Sequence, residues 1–459
     1  MENITIEACA AEGKALTHWN GVVVFVPFAV PGDVVDIRVT KKSKNYYEGF
    51  VERIVTPSKD RLEPFCQHFG VCGGCKWQPL PYPMQLEAKR QQVYDQLVRI
   101  GHLNVPEIRP TIPSDKIQYY RNKLEFTFSS KRWLLKDEDI ESVPENDRMG
   151  LGFHVGKFFD KVLDIKHCYL QKDPSNDIRL FIKKYAVENG LDFFDIRQNV
   201  GYVRNMFIRT TDTGDLMVIM CFFYENREDR EKMLDAIAEA FPQITSLYYI
   251  INNKLNDSIG DQECILYKGE PTIRETMESL TFRIGPKSFY QTNSEQAYKL
   301  YSVARDFAEL TGNEIVYDLY TGTGTIAQFV SGKAAKVVGI EYVPEAIEDA
   351  KVNAAGNGIT NCEFFAGDMK DVLSRDFIEE HGQPDVIILD PPRAGIHPDV
   401  AKVILEASPA RMVYVSCNPA SQARDLALFA DKYEITAVQP VDMFPHTQHV
   451  ENVCALRLR

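Results

Sequence analysis

Four short apolar runs between residues 315 and 390 each carry an acidic residue at or near their carboxyl end. "EIVYDLY" holds Asp318, "KVVGIEY" holds Glu341, "CEFFAGD" ends on Asp368 and "DVIILD" ends on Asp390. Helical stretches such as "TIAQFVSG" and "PEAIEDAKVNAAGNG" lie between strands, and "MVYVSC" adds a further strand. Runs like "VVGI" and "VIIL" are apolar on both faces, which suits parallel strands covered on both sides. Strand–helix alternation from about residue 281 therefore predicts a doubly wound α/β domain over 281–459.

The loops of this domain suggest its ligand. "VYDLYTGTGT" joins the first strand to its helix, and Gly322 and Gly324 let the backbone come close to a bound molecule. The third glycine of a dinucleotide fingerprint is missing. Glu341 can accept hydrogen bonds from ribose hydroxyls. Carboxylates at the ends of four strands fit a cationic, ribose-bearing ligand. S-adenosylmethionine has a sulfonium, an ammonium and a ribose, whereas the pyrophosphate of NAD would be repelled. The bland alternative is that these residues only cap helices and turns.

"VYVSCNPAS" sets Cys417 just past a buried strand at the same end of the sheet, with Pro419 stopping the strand. Its thiolate is a nucleophile once its surroundings lower its pKa; a small core cysteine is the competing reading. The closing stretch "DMFPHTQHVENVCALRLR" contains His446, His449 and Glu451. Glu451 can serve as a general base if a closed site raises its pKa. His-x-x-His without further ligands does not define a metal site.

A chain of 459 residues exceeds one typical domain. Residues 1–60 read as short strands with Gly and Pro between them, a small OB-like β-barrel. Residues 61–280 read as a central α+β domain, with a helix over about 83–101 that can pack on the catalytic domain. The net charge of −13 argues against a nucleic-acid partner, but binding needs only a local basic face. "RVTKKSKNYY" offers Lys41, Lys42 and Lys44 beside Tyr46 and Tyr47; cations can contact phosphate and rings can stack on bases. A solvated hairpin tip is the alternative. No apolar run is long enough to span a bilayer and nothing marks export, so the expectation is a cytoplasmic protein without a membrane partner.

In a reducing compartment, close cysteines read as a metal site before a disulfide. Cys66, Cys72 and Cys75 fall within "CQHFGVCGGCKW", and Cys168 in "IKHCYL" makes a fourth. Four thiolates suit either a zinc ion or a cubane iron–sulfur cluster, and spacing alone does not choose.

"FYQTN", "DLYTGTGT", "LDPPRAG", "SCNPAS" and "DMFPHTQHVENV" occur in this order and resemble the RNA uracil-C5 methyltransferases. The chain looks most like the bacterial 23S ribosomal RNA (uracil-5-)-methyltransferases that hold an iron–sulfur cluster. "GVVVFVPFAVPGDVVDIRV" resembles the TRAM domain, an OB-like RNA-binding module. The resemblance covers essentially the whole chain. It implies that Cys417 adds to carbon 6 of a flipped uridine and that Glu451 removes the carbon-5 proton after methylation. It also implies Gln291, Tyr320, Thr325, Glu341, Asp368 and Asp390 as S-adenosylmethionine contacts beside Asp318, Gly322 and Gly324, with Phe289 stacking near the base. "YYRNKLEF" resembles a family segment, so Arg121 and Lys123 become candidate RNA contacts, with an ordinary exposed strand as the alternative. The four cysteines resemble the family's [4Fe–4S] ligands, with zinc as the other occupant, in a structural role that leaves Phe69 or Trp77 to touch RNA. Thr321 stands where many relatives have Cys. A transfer-RNA enzyme and a non-catalytic iron–sulfur RNA-binding assembly factor are the competing functions, and a monomer is the default. An amino-group methyltransferase fits less well, because Arg393 follows "DPP" where an aromatic residue belongs. A radical enzyme would use a different cysteine spacing.

Overall fold

The computed structural model describes residues 1–135, 138–139, 141–156 and 158–459. Near its start, alternating apolar residues build a six-stranded sheet from β1 (Ile4–Thr5), β2 (Ala8–Cys9), β3 (Lys14–Trp19), β4 (Val22–Pro27), β5 (Val34–Lys42) and β6 (Tyr46–Thr56). The order β1-β5-β6-β4-β3-β2 curls it round a small core that includes Ile6, Val24, Val26, Val35 and Ile37.

Helix α1 (Tyr82–Tyr94) follows the cysteine-rich loop and runs on into a wider π-helical turn over Asp95–Ile100. Gly101 N–H bonds the Gln96 carbonyl five residues back, the signature of that turn. Val93 and Leu97 bury themselves against Ala423, Leu426 and Val438 of the last domain.

A seven-stranded sheet occupies the middle of the chain: β7 (Lys123–Ser129), β8 (Gly150–His154), β9 (Val162–Asp164), β10 (Val203–Thr210), β11 (Leu216–Phe222), β12 (Ser246–Ile251) and β13 (Ile265–Gly269), ordered β13-β12-β11-β10-β7-β8-β9. Every residue of β10 and β11 is buried, and side-chain alternation explains why. Met206, Ile208, Val218 and Met220 face helices α2 (Ser175–Glu188) and α3 (Arg227–Ala240). Phe207, Met217, Ile219 and Cys221 face the next domain.

The hairpin of β14 (Ile273–Met277) and β15 (Leu280–Ile284) straddles residue 280. Thr281 and Arg283 donate to Asn357 and Asn353 of the following domain, so the hairpin belongs with that domain and the expected boundary at 280 cuts through it.

After α4 (Ser294–Ala308) come β16 (Ile315–Leu319), α5 (Thr325–Ser331), β17 (Lys336–Glu341), α6 (Pro344–Gly356), β18 (Cys362–Ala366), α7 (Met369–Val372), α8 (Arg375–His381), β19 (Val386–Leu389), α9 (Pro398–Ala407), β20 (Arg411–Ser416), α10 (Pro419–Phe429), β21 (Tyr433–Val441) and β22 (Glu451–Leu458). The sheet order is β18-β17-β16-β19-β20-β22-β21. The first five strands pair in parallel, as the sequence suggests. The last departs from that pattern: β22 slots between β20 and β21, antiparallel to both. The link from β21 to β22 contains no crossover helix, so the chain can return only antiparallel. Among the described residues no helix is long and apolar enough to cross a membrane.

Candidate active site

The strand order reverses at β16, so a crevice opens beyond the carboxyl ends of β16 and β19. Asp318 lies fully buried on one side of it. Its Oδ2 accepts from Thr321 Oγ1 at 2.5 Å and from the Ala327 amide at 2.9 Å, which ties the loop to the first turn of α5. Its Oδ1 is buried without a partner among the described residues. Burial pushes this carboxyl up to about 7. Asp390, beyond the end of β19, is raised to about 7 by burial and by Asp318.

Between Asp318 and α5 the loop bends through left-handed residues: Tyr320 at φ +66°, Gly322 at +55° and Gly324 at +73°. A Cβ on Gly324 would lie 2.9 Å from both Ala350 Cβ and the Phe364 ring, whereas one on Gly322 would meet no protein atom within 4 Å. Gly322 and Val343 donate their amides to Glu341, one to each carboxylate oxygen, at 3.1 and 3.0 Å. Asp368 caps α7 by accepting from the Lys370 amide. Thr325 opens α5 3.3 Å from Thr323 Oγ1, which donates to the Phe289 carbonyl at 3.4 Å. The Phe289 ring is 63% exposed. Asn122 Nδ2 holds the Gln291 carbonyl at 2.8 Å, so the central domain anchors the "FYQTN" loop. Tyr342 and Val343 form an exposed apolar shelf beside Glu341 that no sequence motif announced.

The antiparallel pairing of β20 and β22 brings Cys417 and Glu451 together. Ser416, the last residue of β20, pairs with Asn452, and the charge of Glu451 reaches the Cys417 thiol just beyond it. Glu451 is buried, and burial with Asp390 nearby raises its carboxyl far above the usual range. The half-buried Cys417 thiol is pushed up to about 11 by burial and by Glu451 and Asp390, while Arg393 pulls it down. Asn418 caps α10 and donates to the Arg393 carbonyl at 3.1 Å, as does Ser421. These two bonds tie the Cys417 loop to the "DPPRAG" loop. His446 and His449 are both lowered to about 4 by burial, which keeps them neutral.

The candidate RNA residues divide. Arg121 lies over the Phe444 ring at 5.5 Å and lines the cavity that the four cysteines share. Lys123 is drawn inward over Phe207, and burial lowers it to about 8. Lys41, Lys42 and Lys44 are exposed at the β5–β6 tip, where Lys41 bonds the Tyr46 hydroxyl at 3.1 Å and Lys42 lies over Tyr47.

Cys66, Cys72, Cys75 and Cys168 line one cavity of about 550 Å³, whose wall also includes Arg121, Lys123 and, from the "FYQTN" stretch, Thr292. Burial raises Cys72 to about 11 and Cys75 to about 12, with neighbouring thiols adding to the effect. Among the described residues no three side chains converge closely enough to hold a single metal ion. Behind Cys168 lies Arg179, fully buried; it donates to the Ile165 and Lys166 carbonyls and to Asn176 Oδ1, and no carboxylate among the described residues pairs with it. Trp77 is buried against Val30 and Leu80, which removes it as an RNA contact. Phe69 packs edge-on against Phe28 of the barrel.

The sheet order and the acidic crevice are those of an S-adenosylmethionine-dependent methyltransferase. The fold matches the crystal structure of Pyrococcus abyssi tRNA (uracil-54, C5)-methyltransferase in complex with S-adenosyl-L-homocysteine, with a TM-score of 0.76 and 29% identity over 99% of this chain and 100% of that one. The tRNA (uracil-5-)-methyltransferase family profile matches residues 207–459, and the TRAM domain profile matches residues 2–51. An uncharacterized RNA methyltransferase of Porphyromonas gingivalis is 59% identical, covering 97% of this chain and 98% of its own. One from Bacteroides thetaiotaomicron is 58% identical, covering 98% and 100%. The chain belongs to the RNA uracil-5-methyltransferase family.

Proposed function

We propose that the protein methylates carbon 5 of one specific uridine in 23S ribosomal RNA, through a covalent bond between Cys417 and carbon 6 of the base. The observation that carries this reading is that Cys417, just past the end of β20, lies within electrostatic reach of Glu451 at the start of β22 and of Asp390.

The Cys417 thiolate attacks carbon 6, and the displaced π electrons pass to the carbonyl at carbon 4, leaving an enolate that is nucleophilic at carbon 5. Bound S-adenosylmethionine supplies the methyl cation equivalent and departs as the neutral thioether. Glu451 then takes the carbon-5 proton; the freed electron pair re-forms the 5,6 double bond and expels Cys417 as thiolate. Phe289, exposed on a loop pinned by Thr323 and Asn122, offers a stacking surface for the flipped base. Arg393 favours the thiolate.

The crevice fits a cationic cofactor. Asp318 Oδ1 has no partner among the described residues, Gly322 leaves open space, and Glu341 keeps a free lone pair on each oxygen for ribose hydroxyls. Gln291, Tyr320, Thr325 and Asp368 complete the rim.

Cys66, Cys72, Cys75 and Cys168 would hold a [4Fe–4S] cluster. Four thiolates around one cavity are the ligand set that such a cluster takes. The buried Arg179 cation beside Cys168 supports an anionic occupant. The cluster would staple the loop near residue 70 to the one near residue 168.

A second reading, a transfer RNA substrate, is favoured by the match along the whole chain to the archaeal tRNA enzyme. RNA carrying 5-fluorouridine tests the chemistry. Fluorine cannot leave as a proton does, so the adduct stays trapped; wild type should form it and Cys417→Ala should not. No adduct under saturating cofactor overturns the reading. Mapping 5-methyluridine in both RNA classes from a deletion strain decides the substrate.

A further inference from the structure

The segment between β21 and β22, which leads to Glu451, is held along its length from outside the methyltransferase sheet. Its successive carbonyls each receive a different donor: Asp442 from Gln296 Nε2 at 2.8 Å, Met443 from Asn293 Nδ2 at 3.0 Å, Phe444 from Lys89 Nζ at 3.1 Å, Pro445 from the Tyr120 hydroxyl at 3.0 Å, and His446 from the amides of Lys76 and Trp77 at 2.8 and 3.1 Å. Lys89 forms an ion pair with Asp442 in which both side chains are fully buried. Tyr82 donates to the same carboxylate at 2.8 Å. Gln85 joins three partners: its Oε1 accepts from the His446 amide at 2.8 Å, and its Nε2 donates to the carbonyls of Leu80 and Trp77 at 2.8 and 3.0 Å. His446 takes a left-handed φ of +64° and meets Phe65 edge-on, with ring centroids 5.0 Å apart.

This arrangement is dearer than packing requires. Burying a lysine and an aspartate costs several kcal/mol of desolvation per ion, and an apolar pair would fill the space as stably. What the pair and the Gln85 bridge supply is a single register for the segment. Phe65 immediately precedes the cysteine loop, and Lys76 and Trp77 immediately follow it. The remaining residues to Glu451 form a turn locked by Thr447, whose amide and hydroxyl both donate to the Phe444 carbonyl.

We propose that α1 and the cysteine loop form a clamp for Glu451, with Gln85 as its positioning residue. The clamp couples the folded state of the cysteine loop to the last chemical step, in which the carbon-5 proton passes to Glu451 and the Cys417–carbon 6 bond breaks. This inference rests on the roles given above to Cys417 and Glu451. The earlier steps depend on β20 and the cofactor crevice, which Gln85 does not touch.

Gln85→Met, similar in length but unable to bridge, tests it with natural uridine RNA and S-adenosylmethionine. A displacement of about 1 Å can slow a step on the order of 100-fold. The variant should therefore accumulate a denaturation-resistant, methylated protein–RNA adduct at least tenfold above wild type. Tritium release from 5-tritiated uridine should lag behind methyl incorporation. Trapping on 5-fluorouridine RNA should match the wild-type rate. Tyr120→Phe, which deletes one donor and keeps the ring, should shift both readouts the same way by less, and serves if Gln85→Met does not fold. Equal tritium and methyl counts with no excess adduct in the folded variant overturn the proposal. So does a parallel loss of trapping and turnover, which would indicate a purely structural role. If wild type fails to trap 5-fluorouridine RNA, the proposed function falls first.

Discussion

Two glycines in one loop separate backbone strain from crowding. Gly322 and Gly324 both sit at left-handed φ, where alanine costs about 1–2 kcal/mol relative to glycine. At Gly324 the added Cβ also meets Ala350 and Phe364 at 2.9 Å. Both neighbours are buried, so an overpacking cost of about 1–3 kcal/mol adds to the strain. Gly324→Ala should therefore destabilise the methyltransferase domain by about 2–5 kcal/mol. Gly322→Ala should cost about 1–2 kcal/mol from strain alone. The space beside Gly322 is open to the crevice, so that variant should instead lose cofactor affinity, by about tenfold or more if the ligand lies against the backbone there. Urea denaturation followed by circular dichroism reads the first effect, and titration calorimetry with S-adenosylhomocysteine reads the second. Equal losses of stability would refute the contact argument. Wild-type affinity in Gly322→Ala would refute the assignment of the open space to the cofactor.

Other outcomes follow from the charges. Asp318 and Asp390 are raised to about 7, above the ordinary aspartate value of about 3.9. The folded protein thus holds extra protons between about pH 4 and 7, and their contribution lowers ligand-free stability as pH rises through that window. A cationic ligand prefers the ionised carboxylates, so the thermal shift produced by S-adenosylmethionine should grow from pH 6 to pH 8; a shift independent of pH would contradict this. Arg393→Gln removes a cation that favours the Cys417 thiolate. Trapping on 5-fluorouridine RNA should slow several-fold and the limb that rises as the thiol ionises should move to higher pH, and an unchanged profile would remove Arg393 from the chemistry.

The parts of the fold that depend on local pattern are legible in the residues alone. Apolar runs buried on both faces require parallel strands with helices above and below, so the α/β domain and the acidic strand ends could be read directly. The motifs from "FYQTN" to "DMFPHTQHVENV" carried the family, and "CQHFGVCGGCKW" raised the expectation of a metal-type loop, whose cysteines the structure gathers with Cys168 around one cavity. Tertiary structure alone decided how these parts meet. Cys417 and Glu451 become neighbours because β22 inserts antiparallel beside β20, a pairing between distant residues that no local period encodes. Lys123 reads as a basic RNA contact, yet it turns inward over Phe207, because its strand is covered on a face the sequence could not assign. The hairpin β14–β15 joins the last domain through Asn353 and Asn357, which shifts the boundary expected at residue 280. The segment from Asp442 to His446 is held by residues from α1, the cysteine loop, the central domain and α4. Its place depends on backbone carbonyls, which every residue carries, so no sequence pattern announces the clamp.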